Sequence, residues 1–183
     1  SINSLALPLA KHHPQVLDPH GGVGDLEQGL VRTLHRNSFV DDATRIFRAV
    51  RYEQRLGFRI EKETLAQLQD AINQGYLATI SGDRIRHELE RIFHEERPDL
   101  ALQRAGQLGI LAAVHPSLGH PVGVLPHFDP DYIGAPGEGI EPLAYLACLV
   151  HHLSPEEGES VAHRLNLPRP WAEGVRDSIQ LRQ

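Results

Sequence analysis

The sequence predicts an all-α fold led by a short non-helical stretch. Apolar residues recur at the 3.6-residue spacing of one helix face in segment after segment from Phe39 onward. Those segments open on residues that cap helices and close on glycine or before proline. Helix breakers crowd into two places, the first 33 residues and residues 115 to 142. With 183 residues and 40% hydrophobic content the chain can bury one medium core or two small ones.

Taken in order, "SINSLALPLA" is apolar, and "VLDPHGGVGDL" is turn-rich, with Asp18-Pro19 and Gly21-Gly22 marking a tight reversal. From Phe39 to about Phe58 the positions Ile46, Phe47, Ala49, Val50 and Leu56 trace one helical face, which Gly57 stops. "EKETLAQLQDAINQG" repeats the pattern with Leu65, Leu68, Ala71 and Ile72 and ends at Gly75. A third helix in "SGDRIRHELERIFHEE" starts at a Ser81 cap, carries Ile85, Leu89, Ile92 and Phe93, and halts at Pro98. "DLALQRAGQLGILAAV" reads as a fourth, interrupted at Gly106 and Gly109. Six prolines and five glycines between 115 and 142 predict a long irregular loop. Beyond it, "PLAYLACLVHHL" predicts a helix buried on most sides. "SPEEGESVAHRLNL" opens with a capping box, Ser154 three residues before Glu157, and "RPWAEGVRDSIQLRQ" supplies the last helix.

The longest apolar run, Leu143 to Val150, is far shorter than the roughly 20 residues that cross a bilayer. The first 20 residues lack the pattern of a signal peptide. A cytoplasmic location is therefore expected. The single cysteine, Cys148, excludes an internal disulfide framework and reads as a packed thiol. The net charge of −6 conceals a basic stretch, because Arg32 to Ile60 holds seven arginines against three carboxylates, a net +4.

Within that stretch Arg45, Arg48, Arg51 and Arg55 fall inside about 120° of a helical wheel. Four like charges so spaced repel one another, and the only acid nearby in the helix itself is Glu53. They call for an anionic partner or for acids from elsewhere in the fold, the plainer alternative being a solvated face with Asp41 or Asp42 as an ordinary cap. Hydrogen-bond chemistry sharpens this. A carboxylate only accepts and a guanidinium only donates, so Asp42 beside Arg45 offers an acceptor next to a donor. Cytosine and adenine present the complement, an exocyclic amino donor beside a ring-nitrogen acceptor, whereas uracil and guanine reverse it. The pair is expected on an accessible face, with Arg48 and Arg51 placed for the rest of an anionic nucleotide.

"SFVDDATRIFRAVRYEQRLGFRI" resembles the nucleotide-recognition motif of class II tRNA nucleotidyltransferases and bacterial poly(A) polymerases, an E/D-D-x-x-R element followed by an R-A-x-R-[FY] helix. "LDPHGGVGDLEQGLVR" is similar to the D-P-x-G-G-x-x-D-L segment that ends the family's catalytic head, and "SINSLAL" to the tail of the R-R-D-F-[ST]-I-N-x-[LM]-A motif. "ISGDRIRHELERIF" resembles its R-I-x-x-E-L helix, and "LSPEEGESVAHRLNLPR" its helical body. The resemblance implies three parts: the end of an α/β nucleotidyltransferase head over 1–33, a helical neck over 34–98, and a helical body over 99–183. It implies an enzyme that adds C and A, or A alone, to RNA 3′ ends, with tRNA, ATP and CTP as partners. Asp42 and Arg45 would read the base and Arg48 and Arg51 would hold the nucleotide, with Asp41, Arg55, Arg84 and Glu88 as supporting candidates. Asp41 stands where glutamate is commoner, and Ala43 replaces a proline.

The family's G-G-x-V-R-D segment and its Mg²⁺-binding D-x-D pair are absent. The chain is therefore expected to be a fragment without catalytic residues, inactive alone and binding no cofactor itself, Mg²⁺ and ATP or CTP belonging to the full-length enzyme. Two other readings stand beside it: a non-catalytic RNA-binding or interaction module, and a helical domain like the HD-type phosphohydrolases. The second needs His followed by Asp, and His152 occupies the aspartate's place. Of the twelve histidines, no pair, His12-His13 and His151-His152 included, has a third ligand at a diagnostic spacing, so no metal is expected.

Overall fold

The structure is a computed structural model that describes residues 4–8, 15–119 and 142–181. The expected all-α architecture is found. Ten α-helices lie among these residues: α1 Gly22–Glu27, α2 Ser38–Asp41, α3 Arg45–Leu56, α4 Lys62–Asn73, α5 Gly82–Phe93, α6 Pro98–Gln107, α7 Ile110–Val114, α8 Pro142–Val150, α9 Pro155–Arg164 and α10 Arg169–Gln180. The predicted irregular loop falls, for 120–141, outside the described residues, and so does His12-His13. Pro116–Gly119 just before it forms a 3-10 turn.

The front segment is mixed. Ala6 and Leu17 form an antiparallel bridge. The Asp18 carboxylate accepts hydrogen bonds from the Gly22 and Val23 amides, at 2.6 and 3.0 Å, and so starts α1. β1, Leu30–Val31, then pairs parallel with β2, Arg59–Ile60, in the register Leu30 to Arg59 and Val31 to Ile60. This seam ties the segment ahead of α2 to the turn after α3. Gly57 makes that turn with φ 62°, the left-handed stop that the sequence promised.

Two expected helices are each divided. The run from Phe39 to Phe58 breaks after Asp41, because Asp42 is extended at φ −155° and ψ 102°. Its carboxylate accepts the Thr44 amide and hydroxyl, a local turn that outcompetes the helical ladder. The fourth helix breaks only at Gly109, φ 78°, while Gly106 stays helical. The third helix ends at Phe93, five residues before Pro98, which opens α6 instead of halting α5, as a proline suits a first helical position. Ser154 and Glu157 form the reciprocal capping box. Ser81 is the N-cap of α5 but makes no side-chain cap bond.

One continuous core runs from Phe39, Ile46, Phe47 and Val50 through Leu68, Leu89 and Leu102 to Leu146, Val161 and Ile179. α8 is buried at Tyr145, Leu146, Leu149 and Val150 and half-buried at Cys148, whose thiol burial pushes above its ordinary pKa. Arg164 joins the C-terminal helices to the rest by donating to the carbonyls of Leu77, Ile80 and Val114. Alongside it α5 begins at Gly82, where a Cβ would lie 2.3 Å from the Arg164 carbonyl oxygen and 2.9 Å from the Leu165 carbonyl carbon. Both are backbone atoms and cannot swing aside. Gly82→Ala is therefore expected to cost about 1–3 kcal/mol, read as a lower thermal midpoint, whereas Ala at Gly24, where a Cβ would meet only the end of the Gln28 side chain at 3.9 Å, should shift it far less.

Candidate functional site

Asp42 sits in the break between α2 and α3, half-buried. Its Oδ1 accepts three hydrogen bonds, from the Thr44 amide at 3.0 Å, the Thr44 hydroxyl at 2.6 Å and Arg84 Nη2 at 2.9 Å. Its Oδ2 accepts none from a described residue. Burial alone would raise the carboxyl's pKa. The Thr44 bonds and the Arg84 and Arg45 charges outweigh it and hold Asp42 below the usual carboxylate range.

Arg45 opens α3 but does not pair with Asp42. Its Nη1 reaches back to Ser38, 2.9 Å from Oγ and 3.2 Å from the carbonyl oxygen. Its Nε and Nη2 have no hydrogen-bond partner among the described residues. Each side chain of the expected acceptor-beside-donor pair is thus half used by its surroundings, Asp42 by Thr44 and Arg84 and Arg45 by Ser38.

The arginine column divides. Arg45 and the exposed Arg48 line a cleft of about 330 Å³ between the segment Val31–His35, α2 and α3, with Arg32, His35, Phe39 and Tyr52 among its walls. Asp42 is not among the lining residues. Arg51 and Arg55 turn away, to Glu95 beyond α5. Arg51 Nη1 lies 3.2 Å from Glu95 Oε1, and Arg55 spans both carboxylate oxygens, Nε at 2.6 Å from Oε2. Burial pushes the Glu95 carboxyl up, and the hydrogen bonds from Arg55 and Arg51 bring it below its ordinary value. These two arginines with His87, Arg91 and His94 border a second, more open cleft of about 520 Å³. Tyr52 stands between the two groups, with the guanidiniums of Arg48, Arg51 and Arg55 at 6.0, 5.1 and 5.8 Å from its ring centre.

Of the supporting candidates, Arg84 reaches the site through Asp42. Asp41 is exposed, 3.5 Å from His35 Nε2. Glu88 is buried and pairs through Oε1 with Arg91, its Oε2 having no hydrogen-bond partner among the described residues. Sequence reasoning missed Ser38, Thr44 and Glu95. Thr44 had a local signal, a hydroxyl two residues after an aspartate. Glu95, 44 residues from Arg51 and 40 from Arg55, had none. Glu53 does not face the column at all: its carboxylate accepts from the Ile60 amide at 3.1 Å and from Arg104 Nε at 2.8 Å.

Two other arrangements lack chemistry. His115 Nδ1 accepts the Ser117 amide, so Nε2 carries the proton and donates to Ser160 Oγ at 2.8 Å, the wrong sense for activating a serine. Among the described residues no group of three His, Cys, Asp or Glu could hold a metal ion. No described helix is long and apolar enough to cross a membrane.

Fold and site together define a helical protein with a cationic cleft at a broken helix. Residues 57–120 match the family described as "Probable RNA and SrmB- binding site of polymerase A". The A-adding tRNA nucleotidyltransferase of Geobacter sulfurreducens is 41% identical over 119 residues, 64% of this chain and 14% of that protein. The CCA-adding enzyme of Pseudomonas putida is 30% identical over 162 residues, 86% of this chain and 42% of that one. A CCA-adding enzyme solved with ATP superposes with a TM-score of 0.78 at 32% identity, and the Thermotoga maritima CCA-adding enzyme complexed with tRNA with 0.76 at 32%. Each match covers 98% of this chain and 44% or 45% of the other. The chain belongs to the class II tRNA nucleotidyltransferase and bacterial poly(A) polymerase family, over that family's neck and body region. It spans less than half the length of each of these relatives.

Proposed function

We propose that this chain supplies the nucleotide-selecting and RNA-binding part of an enzyme that adds C and A, or A alone, to tRNA 3′ ends. The observation that carries this is the split use of Asp42 and Arg45. One carboxylate oxygen of Asp42 and one guanidinium nitrogen of Arg45 are fixed by neighbours, and an acceptor on the first and donors on the second remain for a ligand, Arg45 lining the cleft together with Arg48. The amino group and ring nitrogen of adenine or cytosine satisfy both. Uracil or guanine would set carbonyl against carboxylate and N–H against guanidinium, leaving groups unpaired at about 1–3 kcal/mol each. Arg48, free of ion pairs with described residues, is placed for phosphate. Arg51 and Arg55 act through Glu95 and Tyr52, bracing α3 against the end of α5. The ATP and tRNA complexes of the similar enzymes support the same partners here.

The match of residues 57–120 to an RNA-binding region favours a second reading, an RNA-binding module without nucleotide selection. Mixing the chain with tRNA lacking its 3′ end, labelled ATP or CTP, and Mg²⁺ tests the first. The expected result is no incorporation by the chain alone, together with retention of tRNA and preferential binding of ATP and CTP over UTP and GTP. Binding of tRNA with equal indifference to all four nucleotides would favour the module, and incorporation above a no-protein control would refute the assignment of catalysis to other residues.

A further inference from the structure

The carboxylate that would accept the base's amino group is not oriented by its own helix. Asp42 lies in an extended break, where its χ angles are free of helical restraint. What fixes its plane is three donors on one oxygen, two from Thr44 and one from Arg84, which arrives from α5 forty-two residues later. Thr44 is buried and rigidly placed, while the Arg84 side chain is about half exposed, at 52%. An arginine so exposed gains little stability from pairing with a half-buried carboxylate. Its geometric effect is larger: with Oδ1 saturated by three donors, only Oδ2 remains to accept.

We infer that Arg84 is a specificity-determining positioning residue, which with Thr44 pins Asp42 Oδ1 so that Oδ2 alone meets the nucleobase beside Arg45. This rests on the base-reading role proposed for Asp42. Without Arg84 the carboxylate rotates, either oxygen can meet the base, and water can bridge it to a uracil carbonyl that the fixed geometry would repel. Arg84 touches no ligand in this account. Its loss changes the ratio of affinities between nucleotides more than the affinity for any one of them. A residue that merely stabilised the fold would weaken all four together.

The test is a ¹H–¹⁵N shift titration of the whole chain with ATP, CTP, UTP and GTP, on wild type, Arg84→Ala, Arg84→Lys, Thr44→Val and Thr44→Ser, each first checked by thermal melting. The wild type should prefer ATP to UTP. Arg84→Ala should cut that preference about tenfold, Arg84→Lys should restore part of it by returning one charged donor, and Thr44→Ser should outperform Thr44→Val because it keeps the hydroxyl. A wild type that does not discriminate overturns the base-reading role itself and this inference with it. A wild type that discriminates while Arg84→Ala discriminates equally well overturns the inference alone, as does a uniform loss of affinity for all four nucleotides.

Discussion

Replacing Glu53 with alanine is expected to lower stability by about 3 kcal/mol, the low end of the cost of removing one partner from a buried ion pair. Glu53 is 6% exposed and satisfies three groups at once: the Ile60 amide, Arg104 of α6 and the Gln54 side chain. Its removal strands the Ile60 N–H in the interior and leaves the Arg104 guanidinium without its carboxylate. Arg104 keeps partial access to solvent, with 28% of its side chain exposed, which is why the larger figures for fully buried pairs do not apply. The consequence reaches the cleft, because Ile60 belongs to the parallel seam that holds Val31, and Val31 lines it. The loss should appear in urea as a lower midpoint with an unchanged slope. Glu53→Gln, which keeps an acceptor for Ile60 and gives up the charge, should lose about half as much. A midpoint within experimental error of wild type for Glu53→Ala would contradict this.

Exchanging the site pair, Asp42→Arg with Arg45→Asp, is expected to erode selectivity by about one to two decades in the ratio of ATP or CTP to UTP or GTP efficiency, in an enzyme of this family carrying the same pair together with its catalytic head. The exchange reverses which neighbour donates and which accepts, so the amino group of adenine would meet a guanidinium and the carbonyl of uracil would no longer meet a carboxylate. Arg55→Ala should alter the ratio far less, since Arg55 is committed to Glu95. Comparing the thermal midpoints of the variants separates a selective loss from an unfolded site, because Arg84 and Thr44 both lose their carboxylate in the exchange.

Helix positions were legible wherever period and end signals agreed, as at Gly57 and at the Ser154 capping box. The break at Asp42 was not. Its apolar neighbours Phe39, Ile46 and Phe47 keep helical spacing through it, and the turn that opens it is a side-chain bond to Thr44 that periodicity does not register. The arginine column was legible as a face but not as two functions. A helical wheel places Arg45 and Arg51 within one sector, and only the position of Glu95, fixed by the packing of α5 on α3, decides that the second turns away. The same holds for Arg84, whose sequence neighbours say nothing of Asp42. Long-range partners of charged side chains are set by tertiary packing.

The claim that Asp42 and Arg45 read a base is tested most directly by the Arg45 Nε–H resonance of this chain, assigned by its disappearance in Arg45→Lys, as each nucleotide is added in turn. The proposed geometry predicts a saturable shift with ATP and CTP and little or none with UTP and GTP at the same concentrations, and loss of the ATP response in Asp42→Asn. Equal shifts from all four nucleotides, or an Arg45 signal that stays still while Arg48 responds, would mean that the cleft binds phosphate alone and that Asp42 is a helix-break cap and nothing more.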